Sequence, residues 1–361
     1  MNATRRLHDL GQSLWLDHIT RDLLTGGTLQ RYIDELTVTG LTSNPTIFHH
    51  AIGETALYDA AIRQKLRKGE SGEQLFFALG LEDLTRAADL FRPIHEATAG
   101  RDGWVSLEVS PLLAYDAKST LDQARVLHGQ AGRPNLFIKI PGTTAGLPAV
   151  EGAIFAGVPI NVTLLFSPEH YLAAAGAYLS AIERRIAAGL DPRVASVASV
   201  FISRWDKAVQ GTVPEALRGR LGIAVAKRTY KAYRDLLASP RWQRLEAAGA
   251  HPQRLLWAST GTKDPQASDV LYVEALAAPD TINTLPEPTL LAFAEHGKVG
   301  DLLPPDGGDA EAVLARFGAE GMDPAVLAEA LQREGAEAFV ASWNDLMRRL
   351  ATKAEALRKT A

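Results

Sequence analysis

The sequence contains no cysteine. That excludes disulfides, thiolate metal sites and cysteine nucleophiles. Nine histidines are present, but they are scattered. No H-x-H, no H-E-x-x-H and no facial-triad spacing occurs, so the pattern offers little to a metal. His49 and His50 are adjacent rather than ligand-spaced, and we expect them on a helix or loop surface. No serine stands in a G-x-S-x-G elbow. Neither a G-x-G-x-x-G fingerprint nor a P-loop pattern is found. Long apolar runs are also lacking, and the first residues, Met1 to Asp9, lead into none. We therefore expect no signal peptide, no transmembrane span and no membrane partner, with a cytoplasmic location as the default. A large excess of one charge is absent too: the formal net charge is −4. That gives no electrostatic case for a nucleic-acid surface. A local basic patch for phosphorylated metabolites stays open.

What is present is core. Hydrophobic residues make up 46% of 361, enough for one large α/β barrel or two ordinary domains. Eight short apolar or β-branched segments read as strands: Ser13–Asp17, Val38–Pro45, Trp104–Val109, Leu136–Pro141, Pro159–Phe166, Val197–Ile202, Arg254–Thr260 and Thr281–Pro286. Helical sequence follows each. Thr28 to Leu36 is one such stretch, and Pro45 to Ala99 is another. Ser119-Thr120-Leu121-Asp122 has the form of a capping box. Ser167-Pro168-Glu169 is a helix start, with a cap, a proline in the first turn and then an acid. Alternating strands and helices imply a parallel sheet, and eight units imply a (β/α)8 TIM barrel. A doubly wound open sheet is the alternative, but it would usually carry a phosphate fingerprint after an early strand. We expect one barrel domain over 1–361. From about 300 to 361 a helical tail would pack on it through Phe317, Leu327, Leu331, Phe339, Trp343 and Leu346.

The fourth strand carries a lysine, Lys139, within an apolar run. Burying an unpaired ammonium is costly, and a buried amine that gives up its proton is a nucleophile for a carbonyl. The plainer alternative is a lysine that snorkels from a strand end. Alternation places Lys139 and Phe137 inside the barrel, with Ile138 and Ile140 facing the helices. It puts Asn161, Thr163 and Leu165 on one face of their strand, and Ser199 with Phe201 on one face of theirs. Asp17, Asn44 and Glu108 stand at or near the tips of the first three strands. Each has an ordinary explanation: Asp17 a helix cap, Asn44 before Pro45 a turn, Glu108 a rim salt bridge, Thr163 and Ser199 common strand residues. Together they place one lysine, two carboxylates and neutral hydrogen-bonding groups at one end of one barrel. That is the equipment of Schiff-base chemistry, which needs both a nucleophile and a proton shuttle. A phosphate site is a second feature. Arg204 follows the sixth strand, and Ser259-Thr260-Gly261-Thr262-Lys263 follows the seventh. Hydroxyls, glycine and cations after late barrel strands suit phosphate, though Lys263 alone reads equally as a solvated loop lysine.

Three stretches resemble signatures of the transaldolase family, in its longer bacterial form. They are Gly40-Leu41-Thr42-Ser43-Asn44-Pro45-Thr46-Ile47-Phe48, then Ile138-Lys139-Ile140-Pro141-Gly142-Thr143 with Gly146-Leu147, then Asn161-Val162-Thr163-Leu164-Leu165-Phe166-Ser167. The resemblance runs from about Ser13 to Leu285. It implies a transferase of the non-oxidative pentose phosphate pathway. Such an enzyme would move dihydroxyacetone from sedoheptulose 7-phosphate to glyceraldehyde 3-phosphate, with no metal or organic cofactor. By the same resemblance Lys139 forms the Schiff base and Asp17 takes and returns the proton at the bond that breaks. Glu108 and Thr163 would hold a relay water. Asn44 and Ser199 would bind donor hydroxyls, and Phe201 would wall the site. Arg204 and Ser259 would bind phosphate. Many members carry an arginine where this chain has Gly261, and we expect Lys263 to supply that second charge. A fructose-6-phosphate aldolase is the nearest alternative activity. That branch is shorter, with tyrosine in place of Phe201 and glutamine in place of Glu108. A non-catalytic sugar-phosphate binder is the third reading. Homodimer and monomer are both open.

Overall fold

A computed structural model of the chain describes residues 2–53 and 55–359. Among these, eight strands form: β1 (Ser13–Leu16), β2 (Val38–Thr42), β3 (Trp104–Glu108), β4 (Leu136–Pro141), β5 (Ile160–Leu165), β6 (Ser196–Phe201), β7 (Arg254–Ala258) and β8 (Thr281–Leu285). They pair in parallel and in chain order, and β8 returns to β1, so the sheet is a closed barrel. Closure removes the open-sheet alternative. Every strand residue is buried. Barrel strands are covered by helices on one side and by their own interior on the other, hence the near-continuous apolar runs.

Two cores result. Ile138 and Ile140 join the layer between barrel and helices. Trp15, Trp104, Phe137, Val197, Leu256 and Ile282 fill the barrel itself, and Trp104 stacks on Phe137 at 4.1 Å. The large indole of Trp15 fits because Gly40 faces it; a Cβ there would lie 2.6 Å from the ring. Beneath this layer, Arg254 Nη2 donates to Ser13 Oγ at 2.8 Å and to Thr281 O at 3.0 Å. Trp15 Nε1 donates to Asp102 at 2.8 Å, and Ser13 donates to the same carboxylate. Hydrogen bonds there close the N-terminal end of the barrel, the end associated with stability rather than chemistry.

Several details differ from the sequence reading. The helix at Ala117–Ala131 is capped by Asp116, whose carboxylate accepts from Ser119 N–H at 3.0 Å. Ser119 therefore lies in the first turn and is not a cap, because the aspartate three residues earlier reaches the free N–H first. Leu165 does not share a face with Asn161 and Thr163. Leu164 adopts a left-handed backbone, φ 59°, which breaks the alternation and turns Leu165 toward the helices. Pro45–Ala99 resolves into helices Pro45–Gly53, Asp59–Arg67 and Gly72–Ala97. His49 and His50 lie on the first of these; His49 is partly buried against Asp345. Ser167 caps helix Pro168–Ala187 as its sequence suggests, accepting from His170 N–H at 3.1 Å.

The tail contains one helix of 36 residues, Pro324–Lys359. Phe317, Leu331 and Phe339 do join the cluster that includes Phe166 and Phe201, with Leu327 half-buried beside it. Trp343 instead packs on Phe76, at 4.9 Å between ring centres, so this part of the tail rests on outer helix Gly72–Ala97. No described helix is long and apolar enough to cross a membrane.

Candidate active site

Parallel pairing sets neighbouring strand tips side by side. Glu108 is in register with Lys139, and Lys139 with Asn161. Lys139 is 5% exposed and Glu108 4%. Lys139 Nζ lies 3.3 Å from Glu108 Oε2 and donates to Ser43 O at 3.0 Å. The amine is therefore held at a fixed place by a carboxylate on one strand and a carbonyl on another.

Above it opens a cavity of about 270 Å³ at the C-terminal end of the barrel. Asp17, Asn44, Lys139, Thr163, Ser199, Phe201, Arg204, Ser259 and Lys263 all line it. Only Glu108, of the residues singled out from sequence, stands behind the wall, against Lys139. The tips are reached just past the strand ends: Asp17 follows β1, Asn44 follows β2 and Ser259 follows β7.

Hydrogen bonds orient most of these groups. Thr42 Oγ1 donates to Asp17 Oδ1 at 2.6 Å and lies 2.6 Å from Thr284 Oγ1. Ser199 Oγ donates to Asn161 Oδ1 at 2.7 Å, and Asn161 Nδ2 donates to Ser106 Oγ at 3.2 Å. At the start of helix Pro45–Gly53, Asn44 Oδ1 accepts from Ile47 N–H at 3.0 Å, which leaves its amide NH2 for the cavity. Ser259 sits at φ 54°, with its Oγ 3.0 Å from Ser203 Oγ. Two non-glycine residues in the left-handed region, Leu164 and Ser259, thus fall at tips of the site, where strain is commonly stored. Arg204 opens into helix Ser203–Ala208, its guanidinium 5.3 Å from the Phe201 ring and 5.9 Å from the Phe339 ring. Lys263 is exposed at the rim.

Beside Lys139 and the cavity, Glu108 Oε1 and Thr163 Oγ1 are buried without a hydrogen-bond partner among the described residues, as are a number of polar atoms elsewhere in the fold. Buried polar atoms of that kind ordinarily bind water or ligand. Burial pushes the Glu108 carboxyl above its ordinary value; Lys139 pulls the other way. Asp17 is raised as well, again chiefly by burial, with Lys139 and the Thr42 hydrogen bond opposing. Carboxyls shifted upward are better placed to exchange protons near neutrality.

The shift at Asp17 has a consequence for stability. Folded Asp17 keeps its proton to higher pH than it does in the unfolded chain. Folding therefore becomes costlier as pH rises from the ordinary carboxyl range through the raised value. Asp17→Asn removes that cost. The variant's gain in melting temperature is expected to be near zero in acid, to grow with pH, and then to level off. A gain that is largest in acid would contradict this.

Several lining residues were not singled out from sequence. Thr42 lies two residues before Asn44, and period-two alternation is the signal that selects it. Phe339, from the C-terminal helix, carried no such signal. Among the described residues, no group of three or more histidines and carboxylates is arranged to hold a metal.

Comparison with known proteins adds an independent line. The profile of the transaldolase/fructose-6-phosphate aldolase family matches residues 14–350. A protein named Transaldolase from Parafrankia sp. is 45% identical over 346 residues, covering 93% of this chain and 94% of its own. One of the same name from Thermobifida fusca is 44% identical, covering 96% and 97%. A Transaldolase 2 from Nostoc punctiforme is 40% identical, covering 99% and 98%.

Proposed function

The chain belongs to the transaldolase/fructose-6-phosphate aldolase family and is an enzyme of its transaldolase branch, and from this premise we propose that it transfers dihydroxyacetone from sedoheptulose 7-phosphate to glyceraldehyde 3-phosphate through a Schiff base on Lys139. One observation carries the reading: a buried lysine, ion-paired to Glu108 at 3.3 Å, opens into the same small cavity as Asp17.

The steps follow from these positions. Glu108, a base next to the amine, takes a proton from Lys139. The freed Nζ attacks C2 of the ketose and forms a carbinolamine. Loss of the C2 oxygen as water needs a proton delivered to it. Glu108 Oε1 and Thr163 Oγ1, both without protein partners, would hold the water that relays it. The resulting iminium draws electrons from the adjacent C3–C4 bond. Asp17 takes the C4 hydroxyl proton, that bond breaks, and erythrose 4-phosphate leaves. The enamine left on Lys139 attacks the aldehyde carbon of glyceraldehyde 3-phosphate, and Asp17 returns its proton to the new alkoxide. Hydrolysis through the same water releases fructose 6-phosphate. Asn44 and Ser199 would hold donor hydroxyls, while Arg204, Ser259 and Lys263 would meet the phosphate. Lys263 is a point charge, without the fork of an arginine.

Product analysis tests the assignment. With sedoheptulose 7-phosphate and glyceraldehyde 3-phosphate, fructose 6-phosphate and erythrose 4-phosphate should form in equal amounts. Free dihydroxyacetone released at a comparable rate without acceptor would instead indicate an aldolase.

A further inference from the structure

The C-terminal helix reaches into the site by one face. Gln332, Gly335 and Phe339 are spaced at i, i+3 and i+7, which aligns them on one side of a helix. Gln332 is 8% exposed. Its Nε2 donates to Leu164 O at 2.9 Å and to Gly142 O at 3.2 Å, so the helix is pinned to the tips of β4 and β5. Phe339 lines the catalytic cavity. Arg204 packs between its ring and that of Phe201. Gly335 lies between these two helix residues. A Cβ on Gly335 would stand 3.1 Å from Arg204 Nη1 and 3.0 Å from Leu164 Cδ2. A side chain at 335 would therefore press on the guanidinium and shift it, or Leu164, by a few tenths of an ångström.

That use of glycine is costly elsewhere. Within a helix, glycine is less favourable than alanine by about 1 kcal/mol. Glycine here buys room for a cation rather than helix stability. Charges facing Arg204 are the carboxylates of Glu334, on the C-terminal helix, and Glu108, on β3; neither forms an ion pair with it within 4.0 Å among the described residues. The guanidinium is thus placed mainly by packing, and moving that packing moves the charge.

We propose that Gly335 and Phe339 of the C-terminal helix are positioning residues for Arg204, and that they set the site's preference for phosphorylated over unphosphorylated sugars. This rests on the reading of Arg204 as a phosphate ligand. Gln332 holds the helix at the depth that this requires.

The test compares Gly335→Ala and Gly335→Val with Arg204→Ala and with Gly318→Ala. Gly318 also lies within a helix, but a Cβ there would meet nothing within 4 Å. The readouts are inhibition by inorganic phosphate and the kinetics of fructose 6-phosphate and fructose as donors to one acceptor aldehyde. Gly335→Ala should weaken phosphate inhibition and raise KM for fructose 6-phosphate by about tenfold, the size of one weakened charge-assisted hydrogen bond. Its kcat/KM for fructose should stay within about twofold of the parent, the scatter expected when that hydrogen bond is not used. Gly335→Val should do more, and Gly318→Ala nothing. Equal losses for both donors, or unchanged phosphate inhibition in both Gly335 variants, would overturn the proposal. If Arg204→Ala weakens phosphate inhibition and the Gly335 variants do not, positioning alone is wrong. If Arg204→Ala also leaves it unchanged, the phosphate reading fails with it. Should Gly335→Val not fold, Gly335→Ala still decides, because alanine is the better helix former.

Discussion

Lys139→Ala is expected to abolish turnover, with kcat falling by at least about 10⁴-fold, the scale of losing a covalent nucleophile. No other group in the cavity can take over. The second lysine that lines it, Lys263, is exposed at the rim. Among the described residues no carboxylate forms an ion pair with it, as Glu108 does with Lys139. Lys139 has Glu108 at 3.3 Å and a carbonyl, Ser43 O, at 3.0 Å fixing its aim. Lys139→Arg keeps the charge and the ion pair but offers no amine that can condense with a ketone, so it should be as inactive as the alanine variant. That comparison separates covalent chemistry from electrostatics. If the arginine variant retained a substantial part of kcat, the lysine would be acting as a charge. Folding is not the confounding factor it first looks to be. Removal of the lysine leaves Glu108 buried and unpaired, but burial already pushes that carboxyl toward its protonated form, and a neutral acid is tolerated there.

Asp17→Asn should lower kcat by about 10²- to 10⁴-fold, the usual worth of a positioned acid–base group, while Schiff-base formation continues. Asparagine keeps the size of the side chain and an oxygen that can accept from Thr42. It cannot take the C4 hydroxyl proton, so the C3–C4 bond stays intact. Reductive trapping of this variant should therefore yield the adduct of the whole ketose on Lys139, where the parent yields the three-carbon adduct. The same substitution is expected to stabilise the fold above the ordinary carboxyl range. Activity lost together with stability gained is the mark of a group retained for chemistry against its folding cost. Loss of activity with an unchanged ratio of the two adducts would mean that Asp17 acts at a different step.

Much of this arrangement is legible in the sequence. A barrel strand covered on both faces is rich in apolar residues, so a run such as Leu136–Pro141 announces itself, and a charged residue within or just past it stands out. Lys139 and Glu108 are visible for that reason. Their convergence followed from the barrel rule that strand tips meet at one end. The remainder depended on geometry that local sequence does not encode. Leu164 in a left-handed conformation shifts the alternation of β5 by one, and nothing in a run of Leu164-Leu165-Phe166 marks which residue will do so. Asp116 takes the cap in place of Ser119 because two polar residues three positions apart compete for it and the sequence alone does not rank them. Gln332 meets Gly142 across a separation of 190 residues, and Gly335 looks like an ordinary helical glycine until Arg204 is placed beside it. Contacts between distant segments carry no periodic signal.

Borohydride trapping addresses the central claim most directly. The protein is incubated with fructose 6-phosphate, reduced and digested, and the modified peptide is identified by mass spectrometry. A dihydroxyacetone-derived adduct on Lys139 is the result this account predicts. Active, folded protein that yields no adduct, or one carried by Lys263 instead, would contradict it.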